Sequence, residues 1–167
     1  MIQRIQTLYL FVCFVLCLTC LCMPIAHFVA VEGCNPASGC ADAWNHCEQV
    51  DMYNLWLVSE GRHMFYLCPI LMAILVIATA LTFSDIWLYK HRVLQMRVVV
   101  FCMTLLVAWY VVYVVIACLL TSAATPLESM RPHPTAALPA VSLILLHLAH
   151  RGIMKDEMLV RSLDRLR

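Results

Sequence analysis

The sequence predicts an all-α fold: an integral membrane four-helix bundle with a small outer loop region and a cytoplasmic C-terminal helical tail. Three observations predict it. Hydrophobic residues make up 63% of the 167 and charged residues 13%, with a mean hydropathy of +0.86. A soluble domain is nearer half apolar and one quarter charged, and a soluble core of this size would leave too much apolar surface in water. Four long apolar stretches are separated by charged connections, and the basic residues collect in every second connection. The formal net charge of +1 offers no basic field for nucleic acid.

The helices are expected at approximately 7–31, 64–83, 98–120 and 135–150, all within a single membrane domain covering 1–167. A helix rises 1.5 Å per residue, so about 20 residues cross a hydrocarbon core of about 30 Å. Helices are the form that satisfies its own backbone where no water can. The stretch 7–31 follows Arg4 and opens like a signal peptide, yet Phe28 in Phe28-Val29-Ala30 stands where a cleavage site wants a small residue. It is expected to remain as an anchor. Pro24 falls near its outer end, where a kink is best tolerated.

The outer loop 32–63 carries the turn formers Gly33, Pro36 and Gly39 and is too short for a substantial core of its own. Within it, 51–60 reads equally as a strand or an interfacial helix. The connection 84–97 is a tight inner one, with Trp87 and Tyr89 suited to the headgroup zone. The third helix is rich in valine and carries Trp109, Tyr110 and Tyr113. A Pro-containing outer turn at 123–134 leads to Pro139 in the first turn of the fourth helix. That helix is short and holds His147, so by length alone it reads as re-entrant or interfacial as readily as spanning. In the tail 151–167, Leu159, Leu163 and Leu166 recur at helical spacing.

Charge decides the topology. Arg4, Lys90, Arg92, Arg97, Arg151, Lys155, Arg161, Arg165 and Arg167 fall on one side, against Arg62 and Arg131 on the other. Cytoplasmic loops carry the excess of Lys and Arg, so a multi-pass protein with both termini cytoplasmic is expected. Removing the fourth crossing would strand five of these residues outside. Lys90, Arg92, Arg97, Arg151, Lys155, Arg161, Arg165 and Arg167 then form a basic inner face. Its expected partners are the lipid bilayer and its anionic headgroups, each cation contributing about 1 kcal/mol. A membrane or cytoplasmic protein docking on the tail is the other candidate, and an oligomer fits either. Nucleic acid is not an expected partner.

No pattern of catalytic residues stands out, and the expectation is a protein that is not an enzyme and holds no cofactor or metal. Cys13, Cys17, Cys20 and Cys22 crowd one helix at spacings unlike a zinc or iron–sulfur motif, and are read as packing. Cys34, Cys40, Cys47 and Cys68 are candidate disulfide partners on the oxidising face, with connectivity open. His27 belongs near the outer surface and His147 and His150 near the inner one, so one haem cannot bridge them. The central portions of the four helices lack Asp, Glu, Lys and Arg, which weighs against an ion or proton pathway. Thr79, Thr104 and Tyr110 read as helix–helix hydrogen-bonding residues.

The start MIQRIQTLYL, the inner loop IWLYKHRVLQMR and the end HRGIMKDEMLVRSLDRLR together resemble the domain of unknown function 4293 family of small bacterial membrane proteins, mainly of Bacteroidota. Lys155, Asp156, Glu157, Leu159, Val160, Arg161, Ser162, Asp164, Arg165, Leu166 and Arg167 hold the distinctive ending. Met154 and Met158 replace charged residues of that pattern, and Leu163 a small one, which makes this tail more apolar. The resemblance implies a four-helix bacterial inner-membrane protein and no activity. The expected role is a structural, accessory or assembly factor. A small-molecule or ion carrier acting as an oligomer, and a redox or metal-binding protein using the outer cysteines, are the alternatives.

Overall fold

A computed structural model describes residues 2–30, 48–55, 57–59, 62–64, 69–88, 92–121 and 127–164. Four helices dominate: α1 (Ile2–Cys22), α2 (Pro69–Trp87), α3 (Arg92–Thr121) and α4 (Leu138–Asp164). The all-α class stands. Helix α1 packs on α4 and α2, α2 on α3, and α3 on α4, which closes a ring of neighbours.

The buried positions show why these sequences pack as they do. They are Gln6, Leu10, Cys13, Cys17 and Cys20 on α1, and Leu71, Leu75, Ala78, Thr82 and Asp85 on α2. On α3 they are Gln95, Val99, Cys102, Leu106, Trp109, Tyr113 and Ile116, and on α4 Pro139, Ser142, Leu146, Ala149 and Ile153. These series advance by alternating steps of three and four residues, and Thr79 of α2 and Ala117 of α3 are buried beside them. That is the seam of a coiled-coil-like bundle, in which a repeat of about 3.5 residues keeps one face on its neighbours. Small side chains at Cys13, Cys17, Ala78, Ser142 and Ala149 let backbones approach, the usual device where lipid supplies no hydrophobic drive between helices.

The outward faces are equally apolar. Phe11, Leu18, Ile77, Phe83, Phe101, Val111, Val114, Leu119 and Ile144 are all exposed. Three helices are long and apolar enough to cross a membrane: Pro69–Trp87, Val93–Leu119 and Pro134–Leu159, with only 33%, 33% and 28% of their most apolar windows buried. Apolar surface of that extent suits a hydrocarbon environment and not water.

The boundaries differ from the sequence expectations in an instructive way. The fourth span, expected to be the short one at 135–150, runs on through the tail to Asp164. The first, expected over 7–31, stops at Cys22, and its apolar part Gln6–Cys22 is the shortest of the four. Pro24 ends it, since a proline can neither donate to the helix nor leave its predecessor comfortably helical. The apolar run then continues as a strand.

The expected outer loop region contains a five-stranded antiparallel sheet. Its strands are β1 (Ala26–Ala30), β2 (Glu48–Met52), β3 (Leu57–Ser59), β4 (Arg62–Met64) and β5 (Leu127–Pro132), in the order β4-β3-β2-β1-β5. Within segment 51–60, residues 51–52 end β2 and 57–59 form β3. Residues 62–64, expected to reach the second helix, form an edge strand, and the expected turn 123–134 supplies the other edge. Pro132 is tolerated because β5 has a neighbour on one side only. Backbone bonds from Ile25 N–H to Met52 O (2.7 Å) and from His133 N–H to Ile25 O (2.9 Å) extend the pairing. Ala26, Phe28, Met52 and Leu57 are buried with the helix core, whereas His27, between Ala26 and Phe28, is half-exposed, the alternation of a half-buried strand.

Candidate functional site

The two ends of the bundle differ in chemistry. In sequence, the end holding both chain termini carries nine basic residues against Asp85, Asp156, Glu157 and Asp164. The connections that supply the sheet carry, in sequence, Arg62 and Arg131 against Glu32, Asp42, Glu48, Asp51, Glu60 and Glu128. One end is cationic and the other anionic.

At the basic end the four seams turn polar together. Gln6 of α1, Gln95 of α3 and Asp156 of α4 each occupy the seam position next to the last apolar one, and Asp85 of α2 follows Ala78 and Thr82 on its seam. The Gln6 amide donates to Asp156 Oδ2 at 2.8 Å, joining the start of α1 to the tail. Gly152 makes room for it: a Cβ there would meet Gln6 Cγ and Nε2 at 3.1 Å. Gln95 Nε2 donates to the Asp85 carbonyl at 3.5 Å. Asp85 is 1% exposed, and neither carboxyl oxygen has a hydrogen-bond partner.

Asp85 is the residue that sequence reasoning missed. Ending the second helix at 83 put it in a connection; the helix runs to Trp87 and carries it inward. The signal was present, since 71, 75, 78, 82 and 85 follow the alternating step. Asp85 thus stands in the last turn of α2, beyond the charge-free central portion of that helix.

Of the basic side chains singled out by sequence, Arg97, Arg151 and Lys155 are exposed at this end. Arg92 opens α3 and Arg161 lies in the last turns of α4. The side chains of Arg92 and Arg161, and all of Lys90, Arg165 and Arg167, lie outside the described residues. Arg97 and His150 border a shallow groove of about 360 Å³ between α3 and α4, floored by Val93, Met96 and Val100. His150 Nδ1 is buried there without a partner. His147, three residues earlier, is exposed. Met154, Met158 and Leu159 are also exposed, so the tail is apolar as well as basic.

The sheet end is knit by directional bonds. Asn54, in the turn between β2 and β3, is 1% exposed; its amide donates to Cys20 O at 2.7 Å, and its Oδ1 accepts from Trp109 Nε1 at 3.2 Å. It therefore caps an open carbonyl at the end of α1 and holds the buried indole of α3. Trp109 stacks on Tyr113 with ring centroids 5.4 Å apart and planes at 3°. Tyr110 donates to Ala136 O at 2.7 Å, and Thr135 donates to Pro24 O. On the outward face, His27 Nδ1 meets Asp51 Oδ1 at 2.5 Å, and the His27 and His133 rings pack edge to face at 5.1 Å.

Cys34, Cys40, Cys47 and Cys68 lie outside the described residues. Cys13, Cys17 and Cys20 are buried on the α1 seam, and the thiols of Cys13 and Cys17 donate to Ser142 O (3.8 Å) and Ser142 Oγ (3.7 Å). Thr79 and Thr104 bond backbone carbonyls of their own helices rather than a neighbour. Among the described residues, no group of three His, Cys, Asp or Glu is placed to hold a metal ion. Comparison with protein families matches residues 2–166 to a domain of unknown function (DUF4293). Comparison with curated proteins gives no match.

Proposed function

This chain belongs to the DUF4293 family, and we propose that it is a multi-pass bacterial inner-membrane protein that engages anionic lipid through its basic, cytoplasmic end and acts as a structural or accessory factor there. The observation that carries this reading is the groove between α3 and α4. Its floor of Val93, Met96 and Val100 suits an acyl chain, and Arg97 and His150 stand at its border. Arg151 and Lys155, one turn apart, are exposed on α4 beyond His150. Arginine near a membrane surface binds phosphate bidentately while its stem lies on apolar surface.

The test is lipid retention by the purified protein, read by native mass spectrometry from vesicles mixing phosphatidylglycerol and phosphatidylcholine. Wild-type protein is expected to retain phosphatidylglycerol selectively. Replacing Arg97, Arg151 and Lys155 by Gln together is expected to weaken that selectivity on the order of a hundredfold, at about 1 kcal/mol per charge. Equal retention of both lipids by wild-type protein would remove the reading.

The apolar character of the tail supports a second reading. Met154, Met158 and Leu159 are exposed beside Lys155, a composition suited to a protein partner. Truncation after Ile153 that changes the set of proteins crosslinked in native membranes would favour it; an unchanged set leaves lipid as the ligand of this face.

A further inference from the structure

We propose that Asp85 is a proton-binding site of the bundle: its carboxyl holds a proton drawn from the aqueous phase at the basic end, and the neutral acid is the form packed in the core. The argument begins with position. Asp85 occupies a seam position of α2, in line with Leu71, Leu75, Ala78 and Thr82. A helical side chain leans toward the N-terminus of its own helix, and α2 starts at the sheet end. The carboxyl is therefore directed away from the polar layer and into the packed interior.

Among the described side chains, none meets its charge. The two hydroxyls next on the same face are committed to their own helix: Thr82 donates to Ala78 O and Thr79 O at 2.9 Å, and Thr79 to Leu75 O and Val76 O. The amide of Gln95 reaches the backbone carbonyl of Asp85, not its carboxyl. The elements packed on α2 are α1 and α3. On α1, Arg4 lies in the first turn with a side chain outside the described residues; between residues 6 and 22 there is no Asp, Glu, Lys, Arg or His, and the titratable side chains are Tyr9 and the cysteines. From α3 come Cys102, which is buried, and Arg97, which is exposed; the side chain of Arg92 lies outside the described residues.

An ionised carboxylate so placed keeps neither its hydration nor a counter-charge, and burial without either strongly disfavours the charged form. A hard metal cation would require several oxygen ligands around it, and no three His, Cys, Asp or Glu side chains among the described residues are gathered to hold one. A proton requires a single oxygen. Binding is the addition of that proton to the carboxylate, with water as its source.

The experiment is infrared spectroscopy of the full-length protein in lipid nanodiscs, in heavy water, titrated from acid to alkaline pH. Wild-type protein is expected to show the carbonyl stretch of an un-ionised carboxylic acid at neutral pH, after exposed carboxylates have all ionised. Asp85→Asn should lack that band, and Asp85→Glu should shift its frequency. Should either variant fail to fold, aspartate carrying a carbon-isotope label in the wild-type chain identifies the band by its isotope shift. No such band at neutral pH, or one unchanged in Asp85→Asn, overturns the proposal. So does a wild-type thermal midpoint that rises with added sodium, potassium or magnesium when that of Asp85→Leu does not, since the carboxylate would then be ionised and cation-bound.

Discussion

The sheet end and the basic end of this bundle are closed by opposite means. At the sheet end, Asn54 ties Cys20 of α1 to Trp109 of α3, and the β1–β5 pairing joins the connection after α1 to the one before α4. The links described there are backbone pairings and side-chain bonds from Asn54, Tyr110 and Thr135. At the basic end the Gln6 amide bonds Asp156, joining the first helix to the last, and the Asp85 carboxyl at the same end has no hydrogen-bond partner. The difference teaches where structure is secured and where binding capacity is left over. Three of the four unpartnered buried side-chain atoms among the described residues, two on Asp85 and one on His150, lie at the basic end, and the fourth is the Tyr113 hydroxyl.

The comparison breaks first at Trp109. Trp109→Ala removes a fully buried indole and its stacking on Tyr113, and is expected to cost about 3–5 kcal/mol, read as the shift of the denaturant midpoint in detergent micelles. Asn54→Ala should come next. It leaves the Cys20 carbonyl and the Trp109 N–H unpaired beneath the sheet, at about 2–4 kcal/mol for two buried orphans. Gln6→Ala, the matching deletion at the basic end, removes one part-buried bond and is expected to cost about 1 kcal/mol in the same assay. Equal losses for Asn54→Ala and Gln6→Ala would show that the two ends are secured alike.

The helices were legible because 3.5-residue periodicity and lipid both write themselves into composition. The sheet was not, for reasons visible in particular residues. Ala26–Ala30 is as apolar as the helix before it, so Pro24 alone marks the change of state. Leu127–Pro132 has one partner, β1, which lies far away in sequence; strand character that depends on a distant partner leaves little local trace. Asn54 looked like an ordinary turn residue, because its two partners, at 20 and 109, meet only once the helices and the sheet are assembled. The basic face was legible as charge, whereas the groove beneath Arg97 requires α3 and α4 side by side. Asp85 was hidden by a helix boundary placed four residues early.

The central claim is that the two ends lie in different compartments, with the basic one in the cytoplasm. Paired reporter fusions test it most directly: alkaline phosphatase, active only outside the cytoplasm, and a fluorescent protein that matures inside it, each placed after Arg167 or within the connection 32–47. The account predicts fluorescence without phosphatase activity at the C-terminus and phosphatase activity without fluorescence in the connection. Phosphatase activity at the C-terminus would contradict it.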